Sequence, residues 1–249
     1  MIKLFRNIRK QLLSEGKNTK YFKYAIGEIV LVVIGILIAL QINNWKEHKQ
    51  KEIQIKNALV ALYNDLAQDT VLIKERLPFI KEQHQLNESL RTKVAKPEAT
   101  LDTLIHVMRY EFNPNWSEQI IYNTNAYYSL IQTGLVENVS DSLKTRIKNF
   151  YNQKFFQKNR VEKTTNDYRE KITSYVNTYT FGSTPIHDQG HLIDSLVWEH
   201  INSSHLAATF QGISNFKRIL FTETQVELEY SLEGSKRLLQ QLDFYIKDL

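Results

Sequence analysis

Apolar positions fall into three regimes along this chain. Between Tyr24 and Trp45, "YAIGEIVLVVIGILIALQINNW", they are almost continuous, broken by one carboxylate, Glu28, and two glycines. After Trp45 they recur at Ile55, Leu59, Leu62, Leu66, Ile73, Leu77 and Ile80, in steps near three and four with one gap at Asp69–Thr70. That spacing predicts an amphipathic helix. A third series, Leu143, Ile147, Phe150, Tyr151, Phe155, Val161, Tyr168, Ile172, Tyr175, Val176 and Tyr179, predicts a second long helix, capped at Ser140 or Asp141.

Punctuation supports long helices. Glycine and proline number 8 and 4, with none between Gly35 and Pro78 or between Gly134 and Gly182. The first helix is expected to run from the apolar stretch to about Leu77, where Pro78 kinks or ends it. A further helical stretch runs toward Thr92, and "KVAKPEAT" is a turn. A short helix fits residues 101–111. "NPN" at 113–115 is a turn, Ser117 can cap a helix through Gln132, and Gly134 suits that helix's C-terminal cap. Helices follow around 191–210 and 213–247. No run of alternating strand residues occurs. The expected fold is all-α, an N-terminal transmembrane helix continuing into an extracytoplasmic antiparallel helical bundle.

The stretch from Tyr24 to Ile42 covers 19 residues, and at about 1.5 Å per residue it approaches the hydrocarbon thickness of a bilayer. A soluble core helix is seldom apolar around its whole circumference. A cleaved export signal is the nearest rival, because the strictly apolar run Ile29–Leu40 is short. But Ala39 is followed by Leu40 and Gln41, with no A-x-A pattern. An uncleaved signal-anchor is the expectation. Tyr21, Phe22 and Tyr24 on one side and Trp45 on the other suit the two interfaces.

Charge orients the span. Residues 1–24 hold seven basic residues and one acidic, Glu15, whereas the remainder holds 25 basic and 26 acidic. The net charge of +5 therefore lies just before the apolar stretch. This predicts a cytoplasmic N-terminus and a periplasmic domain at the inner membrane of a Gram-negative cell. Segments 1–23, 24–45 and 46–249 are the expected cytoplasmic, spanning and extracytoplasmic parts. Ile2, Phe5, Ile8 and Leu12 share one face of a short interfacial helix in the first part.

Steps of three and four from Glu28 reach Val32, Gly35 and Ala39. Gly35-x-x-x-Ala39 is a small-residue pair that permits close helix approach. Either this stripe meets another span with Glu28 paired there, or Glu28 reaches the headgroups near Lys20 or Lys23.

Candidate chemistry is sparse. Nucleotide-binding, zincin and nucleophile-elbow fingerprints are absent, and without cysteine there are no thiolate sites. His187, His191, His200 and His205, with Asp188, Asp194 and Glu199 nearby, form the one suggestive cluster. His187, His191 and Asp188 are its weak metal-ligand candidates, but the spacing matches no ligand geometry. "NFYNQKFFQKNR" (149–160) interleaves aromatics with bases. Helical spacing makes it core packing with lysines reaching outward, not a nucleic-acid surface. No cofactor and no nucleic acid are expected.

The stretch "YAIGEIVLVVIGILIALQINNWKE" resembles the N-terminal signature of a domain-of-unknown-function family of small membrane proteins from Bacteroidota, notably at Gly27, Glu28, Gly35, Gln41, Asn43 and Asn44. "NAYYSLIQTGLVENVSDSLKTRIKNFYN" (125–152) looks like that family's mid-chain pattern. The resemblance implies single-pass topology and says nothing about catalysis. The packing face in the span, beside an absence of catalytic signals, makes interaction or assembly at the membrane the expected role, with the bilayer and another membrane protein, or a second copy, as partners. An exported metal-binding protein or metal-dependent enzyme using His187–His205 is the alternative.

Overall fold

The computed structural model describes residues 18–115, 120–179 and 190–248, apart from the side chains of residues 18–21 and 24. The chain is all-α, with no strand among the described residues. The chain divides into two compact units, residues 1–56 and 57–249.

The longest helix, α1 (Asn18–Ala95), supplies the described part of the first unit and continues into the second. Every residue from 29 to 54 is exposed. The helix is long and apolar enough to cross a membrane.

In the second unit, α1 runs on through Pro78, so of the two expected outcomes, a kink or an end, the end does not occur. Proline removes one backbone donor and frees the carbonyl four residues earlier, at Lys74. Pro78 and Lys74 are both exposed, so water can solvate that carbonyl, while Ile73 and Ile80 are buried in the core on either side. Packing of the neighbouring turns outweighs the local break.

After the turn at residues 96–100 comes α2 (Leu101–His106), with a capping box between Thr100 and Thr103. It passes into a π-helical stretch, Val107–Glu111. Residues 112–115 are irregular, and Ser117, the expected cap, lies outside the described residues. The next helix, α3 (Asn125–Gln132), starts later than the pattern predicts. It ends as expected, with Gly134 left-handed at φ 68°.

Helix α4 (Asp141–Val176) matches its predicted phase, ending slightly before Tyr179. A short helix α5 (His191–Ile193) leads into a second π-helical stretch, Asp194–Trp198. The last helix, α6 (Ser203–Asp248), runs unbroken through Gly212, so the expected boundary at 210–213 does not exist. Phe210 and Ile213 are both buried and hold the helix through that point.

α4 and α6 pack against each other along much of their length and run antiparallel. Ser140 meets Tyr245 at one end, Arg160 meets Glu223 farther along, and Lys171 lies over Phe216 beyond. α1 is antiparallel to α6, with Lys81 against Glu229 and Asn87 against the Ser214 carbonyl. It follows that α1 and α4 are parallel, and the chain between residues 96 and 140 returns along the bundle. One core cluster joins Leu90 of α1, the π-stretch residues Val107 and Met108, Tyr168 and Tyr175 of α4, and Phe210 of α6. A second joins Ile73 and Ile80 to Tyr122, Phe221 and Leu228.

Candidate functional site

The gap in the α1 stripe marks the most unusual chemistry in the second unit. Asp69 and Thr70 occupy core phase between Leu66 and Ile73 and are buried. Lys154 occupies core phase in α4, one turn beyond Phe150 and Tyr151. Both charged side chains are 0% exposed, and Lys154 Nζ donates to Asp69 Oδ2 at 2.7 Å. The expectation that the lysines of 149–160 reach outward therefore fails at Lys154. Its stem sits at a core position, and a buried carboxylate makes that tolerable.

Other groups complete the coordination of this pair. Asp69 Oδ1 accepts from the Asn123 backbone N–H at 2.9 Å and from Asn123 Nδ2 at 3.0 Å. Lys154 Nζ lies 3.8 Å from the Tyr122 ring centroid and within 6 Å of the rings of Phe150 and Tyr151, a cation–π arrangement. Burial pulls the Lys154 ammonium below the usual lysine value, and Asp69 opposes that shift.

Tyr122 links this pair to a second buried acid. Its hydroxyl donates to Glu227 Oε1 at 2.6 Å, and Ser231 Oγ donates to the same oxygen at 3.1 Å. Burial raises Glu227 above the usual carboxylate range, against the pull of these hydrogen bonds and of Lys154. Burial, reinforced by Glu227, raises the Tyr122 phenol. The buried hydroxyls of Thr70 and Thr224 donate within their own helices, to Leu66 and Leu220 carbonyls.

The same acids explain the late start of α3. Thr124, at its N-cap, makes no side-chain cap. Asp65 of α1 accepts instead from the Ala126 N–H at 3.0 Å, as Asp69 does from Asn123. Carboxylates from a neighbouring helix thus fix residues 123–126 and stabilise the helix N-terminus.

This cluster does not form an open reaction site. The cleft beside it, bordered by Arg76, Thr165 and Glu227, has a volume of about 30 Å³, room for little more than water. Its charges neutralise or hydrogen-bond one another. The arrangement pins three helices and the 120–126 segment in one register.

Two other cations are buried toward the far end of the second unit. Arg109, in the first π-helical stretch, pairs with Asp194 in the second and lies 5.0 Å from the Trp198 ring. Lys217 donates to the Asn113 carbonyl near the rings of Phe112 and Phe221. Burial lowers it to about 8.

The residues singled out by sequence fall as follows. Val32, Gly35 and Ala39 are exposed, and a Cβ placed on Gly35 would meet nothing within 4 Å. Glu28 is half-buried. Phe22 and Trp45 are 63% and 65% exposed. The side chains of Tyr21 and Tyr24, and residues His187 and Asp188, lie outside the described residues. His191 and His200 are exposed, whereas His205 bonds the Tyr179 hydroxyl. No group of three or more histidine or acidic residues suited to a metal ion occurs among the described residues.

Asp69, Lys154 and Glu227 were not singled out as site residues. The available signal was helical phase, a charged residue falling where the apolar stripe required a hydrophobic one. Phase marks the position but not the partner.

Residues 28–187 match the model of DUF6090, a family of unknown function. The matched segment contains Asp69, Tyr122 and Lys154, whereas Glu227 lies beyond it. No curated protein and no solved structure matches the chain.

Proposed function

The chain belongs to the DUF6090 family, which supplies no activity to carry over, and we propose from its physical features that it is a non-enzymatic, single-pass membrane protein with an interaction or assembly role. Residues 1–23 stay in the cytoplasm, 24–45 span the inner membrane, and 46–249 form a periplasmic helical domain. The observation that carries this reading is the exposed apolar surface of α1, uncovered through residues 29–45 and flanked by an excess of basic residues on its N-terminal side. Among the described residues, the buried charges of the second unit are engaged within the fold, Asp69 with Lys154, Arg109 with Asp194, Glu227 with Tyr122 and Ser231, and Lys217 with the Asn113 carbonyl, which supports a packing role for them.

Within the span, the contact stripe is Glu28, Val32, Gly35 and Ala39, and its partner is another span or a second copy. The absence of a side chain at Gly35 and the small one at Ala39 support a close backbone approach. The bilayer itself is the other partner, held at its interfaces by Tyr21, Phe22, Tyr24 and Trp45.

The chain has no cysteine, so single cysteines report without background. Cysteines placed at residues 31, 32, 35, 37 and 39 of the full-length protein in native membranes would be crosslinked. Val32, Gly35 and Ala39 should crosslink well above Leu31 and Leu37, and equal yields reject the stripe. An impermeant maleimide should label a cysteine at Lys163 in intact spheroplasts and spare one at Lys10. The reverse pattern rejects the topology.

A further inference from the structure

The seam between α4 and α6 opens into a trough at the end where α4 begins and α6 finishes. Two depressions of about 390 and 270 Å³ lie there, sharing Arg146 and Gln241 as walls. Leu143 and Phe150 of α4 and Leu238 of α6 supply buried apolar walls, and Phe244 is 71% exposed at the margin. Gly234 sets the shape, because a Cβ there would lie 2.5 Å from the Phe150 ring. The missing side chain lets that ring rest against α6.

Charge in the trough is one-sided. Arg146 and Arg237 line it, and no aspartate or glutamate does. Arg146 Nε donates to Ser142 Oγ and Arg237 Nε to the Glu233 carbonyl, both at 3.4 Å and both within their own helices. Among the described residues, neither guanidinium has a carboxylate within 4 Å; Arg237 acts on the Glu233 carboxyl only from beyond that distance, and Glu233 is ion-paired with Lys236. Lys144 and Lys148 nearby are also ion-paired. Two guanidiniums beside an apolar floor match a ligand with carboxylates flanking an apolar side chain. A two-fold pairing of identical troughs would set arginine against arginine, which disfavours a second copy here.

We propose that this trough docks an acidic, apolar-anchored segment of a partner protein. Carboxylates of the segment engage Arg146 and Arg237, and its apolar residue packs on Leu143 and Phe244. From Ser140 to Gln153 the trough follows about 20 Å of helix, the length of a short amphipathic helix or extended strand. This inference rests on the interaction role proposed above and names the chemistry of the partner.

The test uses full-length protein in neutral-lipid nanodiscs. The probes are fluorescent amphipathic peptides that differ in glutamate spacing around leucine and phenylalanine, with lysine-for-glutamate counterparts. Anisotropy should show saturable binding of at least one acidic peptide, weakened by salt, and none by the lysine counterparts. Arg146→Glu with Arg237→Glu should weaken binding at least about tenfold, and Phe244→Ala should also weaken it. Arg146→Lys with Arg237→Lys should retain part of it, each variant keeping the wild-type helical spectrum. The proposal is overturned if no acidic peptide binds, if both charge types bind alike, or if the glutamate variants bind normally. It is also overturned if the trough variants instead abolish self-association, or abolish binding to phosphatidylglycerol vesicles, with no peptide bound. Crosslinks at Gly35 and Ala39 are read on the same samples. Crosslinks without peptide binding reject this docking site alone, and binding without crosslinks rejects the intramembrane contact alone.

Discussion

Replacing Lys154 with methionine keeps most of the aliphatic stem and removes the ammonium. Asp69, whose side chain is 0% exposed, then retains only the two donors of Asn123 among the partners described above. Breaking a fully buried pair from one side costs about 3–5 kcal/mol. At about 2–4 °C per kcal/mol for a chain this size, the melting temperature should fall by roughly 6–20 °C. Far-UV circular dichroism of full-length protein in detergent at neutral pH measures it. Asp69→Asn should also destabilise, because it strands Lys154 among aromatic rings. Combining the two leaves no charge of this pair buried and keeps an acceptor for Asn123. The double variant should therefore melt well above the temperature obtained by adding the two single losses. The reasoning is refuted if Lys154→Met costs less than about 1 kcal/mol, or if the two losses simply add.

Because burial raises the Glu227 carboxyl, the folded state holds its proton more tightly than the unfolded state. Its contribution is full below the unfolded value of about 4.3 and is lost as pH rises through the raised folded value. Glu227→Gln should flatten the melting temperature over that window, and an unchanged profile would contradict the assignment. Lys217 has the opposite sign. Depressed to about 8, it favours folding above the unfolded value of about 10.4, and that contribution is lost as pH falls through 8. Stability should rise from pH 8 toward 10 in the wild type, and Lys217→Met should lose that rise. Two glycines of α6 provide a paired steric test by urea unfolding. Gly212→Ala meets open space and should stabilise by about 0.5–1 kcal/mol, whereas Gly234→Ala runs into Phe150 and should destabilise by about 1 kcal/mol, overpacking exceeding the propensity gain. Equal effects at the two positions would remove the packing argument.

Local periodicity carries the elements of this protein because an α-helix relates residues three and four apart. The exposed apolar length of α1, the stripe Leu59, Leu62, Leu66 and Ile73, the phase of α4 and the left-handed turn at Gly134 were all legible from neighbouring residues alone. So was the gap in the apolar stripe at Asp69–Thr70, whereas the burial of Lys154 was not, because a lysine at a core phase can equally reach outward. Tertiary structure decided whatever depends on a distant partner. Asp69 and Lys154 are 85 positions apart in the chain, so their pairing is invisible to any local pattern. Pro78 and Gly212 sit inside helices because buried neighbours on either side outweigh a local break. α3 begins at Asn125 because Asp65 and Asp69, one helix away, hold the N–H groups of Asn123 and Ala126. The trough exists where two antiparallel helices bring Arg146 and Arg237 to the same seam, a juxtaposition set by packing across the chain and not by spacing along it.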